Sequence, residues 1–160
     1  MDKYIIKKAE IDAMEGLQKT HFLNDNAVRT NKSLGDLTGL KGLGFHIIEL
    51  EPGRESTECH VHYFEDECTY ILEGTGQVII DEEPHDIGPG DFIGYRAGGL
   101  PHTMVNTGKE TLKCIVVGQR LDHDVADYTR LNKRIFRNEG MSWDVVNHDQ
   151  IHNPKNAGKK

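Results

Sequence analysis

From Leu43 onward the chain alternates with the period of an extended strand. Leu43, Phe45 and Ile47 share one face, and Ile48 and Leu50 the other. Apolar residues on both faces predict a strand covered on both sides, as in a sandwich or closed barrel. Glu51-Pro52-Gly53 supplies the turn that ends it. Short strands are then predicted at residues 59–63, 68–72, 77–81, 85–87, 92–95, 102–105 and 112–117. Turn clusters separate them, such as Glu73-Gly74-Thr75-Gly76, Gly88-Pro89-Gly90-Asp91 and Asn106-Thr107-Gly108-Lys109. Many short strands with regular turns imply an all-β, antiparallel sandwich or barrel. Closure would also remove exposed sheet edges.

The flanks carry weaker patterns. Ile11, Met14 and Leu17 give residues 10–18 a short amphipathic repeat that Gly16 weakens, so a turn or two of helix is expected on the outside of the barrel. Residues 24–42 are polar and Gly-rich and read as a loop with one short strand around 27–30. After Gly118 come apolar Leu131, Ile135, Phe136, Val145 and Val146, a basic cluster of Arg130, Lys133, Arg134 and Arg137, and Trp143. Residues 119–160 are expected to fold over or beside a barrel core at about 43–118, within a single domain spanning 1–160. Residues 153–160 should fray.

Composition narrows the class of protein. With 19 basic and 26 acidic residues the formal charge is −7, a poor match for nucleic acid or an anionic membrane surface. No apolar run approaches the length of a membrane helix, and the first residues lack a secretory apolar core. A cytoplasmic protein is expected. The three cysteines, Cys59, Cys68 and Cys114, have no framework spacing. They read as small core hydrophobes rather than a disulfide scaffold.

His60-Val61-His62 changes the picture. In a strand, residues two apart lie on one face, so both imidazoles can approach one ion. Glu67 follows on the next predicted strand, and His102 closes a second Gly-framed stretch, Gly90 to His102. Neutral imidazoles with a carboxylate are a usual ligand set for a borderline divalent metal.

The spacing Gly53, His60, His62, Glu67, Gly74 resembles the first conserved motif of the cupin superfamily. The spacing Gly90-Asp91, Gly98, Pro101-His102, Asn106 resembles the second. Arg96 stands where the second motif usually carries proline, and one residue is inserted before His102. The flanks also resemble small single-domain bacterial cupins, some of them labelled sugar-phosphate isomerases. The resemblance implies a jelly-roll barrel, the double-stranded β-helix. It also implies one divalent transition metal (Zn, Mn, Fe, Ni or Co) held by His60, His62, Glu67 and His102, and often a homodimer.

That resemblance makes a metal-dependent enzyme on a small polar metabolite the leading expectation, with sugar-phosphate isomerisation the most concrete form. A non-heme metal dioxygenase and a non-catalytic ligand-binding or sensing cupin are the alternatives, and no general base is placed by the sequence. Among other residues, Thr69 and Met104 are expected to line the pocket and Tyr70 to lie in the core. Glu65 and Asp66 read as a solvated acidic turn, and His46 and His85 receive no role. The basic cluster reads as a surface paired with carboxylates, with anion binding at the barrel mouth as the rival reading.

Overall fold

The computed structural model describes residues 3–154. A short helix α1 (Lys8–Asp12) leads into β1 (Leu17–His21), β2 (Asn24–Ser33), helix α2 (Leu34–Leu37) and β3 (Leu43–Leu50). Then come β4 (Val61–His62), β5 (Glu67–Glu73), β6 (Gly76–Ile80), β7 (Glu83–Ile87), β8 (Phe92–Tyr95), β9 (His102–Val105) and β10 (Leu112–Gln119). The chain ends in β11 (His123–Tyr128), β12 (Lys133–Asn138) and β13 (Asp144–Asn147).

Six strands form one sheet in the order β1-β2-β3-β10-β5-β8. Two smaller sheets, β7-β6-β9 and β13-β12-β11-β4, lie side by side. Bridges from Glu55 to Val105 and from His60 to His102 tie them together. Inward residues of the six-stranded sheet (Ile48, Leu50, Ile71, Ile93, Leu112, Cys114) pack with Val78, Ile87 and Met104 of the β7-β6-β9 sheet in one core. This is the all-β jelly-roll barrel that the strand pattern predicts.

The inward face changes character along each strand. On β5 it runs Glu67, Thr69, Ile71; on β9, His102 then Met104; on β3, His46, Ile48, Leu50. One end of the barrel is therefore filled with aliphatic side chains and the other is lined with polar ones. Thr69 and Met104 sit between the two, beside the polar chamber, as expected.

The flanks differ from their sequence patterns for local reasons. Gly16 does more than weaken a helix: its φ of +79° ends the segment, and a Cβ there would lie 2.7 Å from the Thr30 side chain. The helix stops at Asp12 and β1 begins at Leu17. Residues 24–33 form a ten-residue strand, not a loop. Its inward residues, Ala27, Arg29 and Asn31, are small or polar, so the apolar alternation that marks a strand is missing. Residues 119–154 supply three strands, and β11 pairs directly with β4 through Ala126–His62 and Asp127–Val61. Residues 155–160, part of the stretch expected to fray, lie outside the described residues.

Three side-chain expectations are corrected. Tyr70 points outward and is 43% exposed, because strand parity sets it opposite Glu67 and that face of β5 is not covered. Cys68 shares its face and is only partly buried, whereas Cys59 and Cys114 are core thiols. Glu65 is buried, not solvated. It accepts from the Leu121 amide at 2.8 Å and from Arg137, which satisfy its charge. Asp66 is exposed as expected. No helix of the described residues is long and apolar enough to cross a membrane.

Candidate metal centre

His60 and His102 face each other across an antiparallel bridge and exchange two backbone hydrogen bonds, of 3.1 and 2.8 Å. In the turn Arg96-Ala97-Gly98-Gly99 that precedes His102, the Gly98 amide donates to the His62 carbonyl at 2.8 Å. Gly98 has φ +66°, which favours glycine. β4 carries His62 next to His60, and the start of β5 brings Glu67 across from them.

The structure brings His60, His62 and Glu67 into one compact group of possible ligands, and His102 approaches that group at Glu67. Glu67 Oε2 lies 3.9 Å from His60 Nε2, 3.8 Å from His62 Nε2 and 3.9 Å from His102 Nε2. His60 Nε2 and His62 Nε2 are 3.1 Å apart. Two atoms each bonded to one ion at about 2.0–2.2 Å can be at most ~4.4 Å apart, and these separations all fall inside that limit. The possible ligand atoms of His60, His62 and Glu67 all lie within 4.8 Å of one another, and His102 falls outside that group.

Each imidazole is held by its other nitrogen. His60 Nδ1 donates to the Glu58 carbonyl at 2.9 Å, His62 Nδ1 to Asp124 Oδ2 at 2.7 Å and His102 Nδ1 to the Leu100 carbonyl at 3.3 Å. Tyr95 stacks on His102 with centroids 3.7 Å apart. With the Nδ1 atoms used as donors, the neutral rings aim Nε2 lone pairs inward. The facing nitrogens of His60 and His62, 3.1 Å apart, are offset either by a proton shared between them or by a cation held there. His102 Nε2 is buried with no hydrogen-bond partner. The donor set of His60, His62 and Glu67 fits a divalent metal.

The charges agree. Burial, with His102 and His62 beside it, holds His60 down at about 3. Burial would raise Glu67, but the three imidazoles outweigh it and hold the carboxyl at about 2. Burial would lower His62, yet Asp124 and Glu67 prevail and raise it. Asp124, fully buried, is kept near 2 against its own desolvation by His62 and Arg137. His62, Glu65 and Asp124 also form a trio of possible ligands. The guanidinium of Arg137 sits on both carboxylates, so that trio is already neutralised by the chain.

A cavity of about 350 Å³ opens beside the cluster. His21, Arg29, Tyr128 and Arg137 line it, with Phe22 and Trp143, both well exposed, at its rim. Sequence reasoning missed Asp124, Arg29 and Tyr128. Asp124 and Tyr128 lie in the C-terminal extension, and Arg29 in the stretch that reads as a loop. The basic cluster is paired with carboxylates, as its surface reading expects: Arg130 with Glu82, Arg134 with Asp127, Arg137 with Glu65 and Asp124. Lys133 instead reaches Asn147. His46 lies beside Asn31 at 3.3 Å, outside the cluster.

Comparison with known proteins agrees with this geometry. The cupin domain family model matches residues 46–118. The solved structure of a candidate sugar phosphate isomerase from Acidithiobacillus ferrooxidans is 46% identical, with a TM-score of 0.92 over 96% of this chain and 97% of that one. The chain belongs to the cupin superfamily. A sugar phosphate isomerase of the same superfamily from Silicibacter pomeroyi is 26% identical to this cupin, with a TM-score of 0.79, covering 91% of this chain and 96% of that one. An uncharacterised protein of Methanocaldococcus jannaschii is 38% identical over 76 residues; the match covers 47% of this cupin and 60% of that protein's length.

Proposed function

We propose that this cupin is a metal-dependent enzyme acting on a small polar metabolite, most concretely a sugar phosphate undergoing isomerisation. The observation that carries the metal is the convergence of three imidazole nitrogens on Glu67 Oε2. The likeness to the two proteins named as sugar phosphate isomerases supports the substrate. His60, His62, Glu67 and His102 would hold the ion. When bound, it would act as a Lewis acid that polarises a carbonyl or hydroxyl oxygen of the substrate.

The chain's own groups position the ligand and its protons. His21 lines the cavity, and burial, with Arg29 nearby, holds it down at about 4, so it is neutral at pH 7. Its Nδ1 accepts from the Leu23 amide at 3.2 Å, which leaves the proton on Nε2 for a substrate oxygen. Burial pushes Tyr128 up to about 12, so its hydroxyl is a second neutral donor.

A second reading has its own support. Among the described residues lining this cavity, Glu67 is the one carboxylate, and it is committed to the cluster. The shortage of a free base favours a ligand-binding cupin without turnover. Elemental analysis of the purified protein, followed by an NMR screen of sugar phosphates for aldose–ketose exchange, tests both. Stoichiometric metal with turnover upholds the enzyme. Metal with saturable binding and no turnover favours the binding module. Absence of metal after reconstitution rejects both.

A further inference from the structure

The cavity wall holds a cation with no anion. Arg29 projects inward from β2, between buried Ala27 and Asn31. Its Nη1 donates to the Ser56 carbonyl at 2.5 Å. Its Nε is buried and has no hydrogen-bond partner. Among the described residues Arg29 makes no salt bridge, whereas Arg120, Arg130, Arg134 and Arg137 each sit on a carboxylate. Arg54 and Arg96 also lack a carboxylate partner, but both are exposed to solvent.

Taking a guanidinium out of water without a counter-charge is costly. The nearby negative charge is Glu67, and it already faces three imidazoles. Arg29 borders the 350 Å³ cavity, an adjoining one of about 200 Å³ and the small chamber of about 30 Å³ beside His60, Glu67 and His102. It is therefore the cation that lines all three spaces beside the cluster, together with Glu67. An arginine edge with two free donors matches an oxyanion bidentately.

We propose that Arg29 is the anchor for an oxyanion, a phosphate or carboxylate group of the ligand, which docks on its guanidinium beside the His60/Glu67 cluster. The assignment deepens the proposed function by naming the residue that holds the ligand's charged group. It rests on that reading only for what lies at the ligand's other end. Arg29, not the basic cluster of residues 130–137, then recognises the anion, because the arginines of that cluster are already neutralised.

Trp143 is the only tryptophan of the chain and lines the same cavity, so its fluorescence reports occupancy. Inorganic phosphate and acetate are titrated into metal-stripped and metal-loaded protein, as wild type, Arg29→Gln and Arg29→Lys. The stripped arm removes any direct contact between anion and metal. Saturable quenching by one of the anions is expected in stripped wild type, with at least a tenfold loss in Arg29→Gln. A smaller loss is expected in Arg29→Lys, which keeps the charge but not the fork. Metal content should be the same in all three. At about a hundredfold excess over Kd, the bound anion should raise wild-type Tm by roughly 5–10 °C, and Arg29→Gln should lose that rise. Should Arg29→Gln fail to fold, the Arg29→Lys titration carries the test alone. Wild-type affinity in a folded variant, or no binding of either anion to wild type, overturns the proposal. A preference for acetate upholds Arg29 as the anchor while rejecting a phosphorylated substrate; loss of metal from wild type with anion binding intact rejects the metal reading alone.

Discussion

At one end of the barrel the inward positions are Leu50, Ile71, Val78, Met104, Leu112 and Cys114, none more than 3% exposed. At the other, many of the same strands turn His102, Glu67 and His46 inward, and β2 adds Arg29. The aliphatic end obeys close packing: its side chains have no polar atoms to satisfy and gain about 1.5–3 kcal/mol each from burial. The polar end obeys accounting of charge and hydrogen bonds. There the chain leaves three buried atoms short of partners: His102 Nε2, Arg29 Nε and Arg137 Nε. A domain that spends stability on unsatisfied groups at one end needs the other end to hold it together.

The largest effect should come from cutting into the aliphatic end. Leu112 is fully buried, so Leu112→Ala should cost about 2–5 kcal/mol of unfolding free energy through lost burial and the cavity left behind. Urea denaturation measures it. Metal affinity should stay unchanged; a parallel loss of metal would show that the two ends are not independent.

At the polar end the order reverses. Glu67→Gln keeps the shape and removes the charge, so metal affinity should fall about a hundredfold, ~2.7 kcal/mol, while the stripped protein unfolds at the wild-type midpoint. A chelator competition assay reads this. Retention of wild-type affinity would take Glu67 out of the centre.

Asp124→Asn acts one bond further away. It weakens the hold on His62 Nδ1 and leaves Arg137 with Glu65 alone. Metal affinity should fall roughly tenfold, ~1.4 kcal/mol, in the same competition assay. An effect as large as that of Glu67→Gln would mean that Asp124 does more than orient the ring.

The smallest effect concerns acid. Free histidine titrates near 6.5, and burial, with Arg29 nearby, holds His21 at about 4 in the folded chain. The unfolded chain therefore binds its proton first. The stability tied to neutral His21 is full above pH 6.5 and is lost as pH falls from there toward 4. Denaturation midpoints of the stripped protein at pH 7, 5.5 and 4.5 should decline less steeply in His21→Gln than in wild type. Equal slopes would remove His21 from the acid response.

Much of the barrel and the candidate ligand group His60, His62 and Glu67 were legible along the chain, because both depend on short-range regularities. Strand parity puts His60 and His62 on one face, turn residues mark the ends of β3, β5 and β8, and the two glycine frames set Glu67 and His102 in register with them. Parity also places Tyr70 opposite Glu67, but not whether anything covers it, and Tyr70 proved exposed. β2 was hidden for a related reason. A strand whose inward face meets a ligand cavity carries Ala27, Arg29 and Asn31 there, so it lacks the apolar signal that identifies a buried strand.

What the sequence determined by itself was the set of groups able to bind an ion and the fold class that could carry them. What only the tertiary structure decided was how those groups are held and what faces them. Asp124 reaches His62 across 62 residues of chain, through the pairing of β11 with β4. Arg137 is neutralised by Glu65 and Asp124, while Arg29, the same residue type, is left without a counter-charge. Residue type and local period carry no record of such pairings. They arise when strands far apart in sequence close into one barrel, and the free energy of a charge depends on which partner that closure supplies.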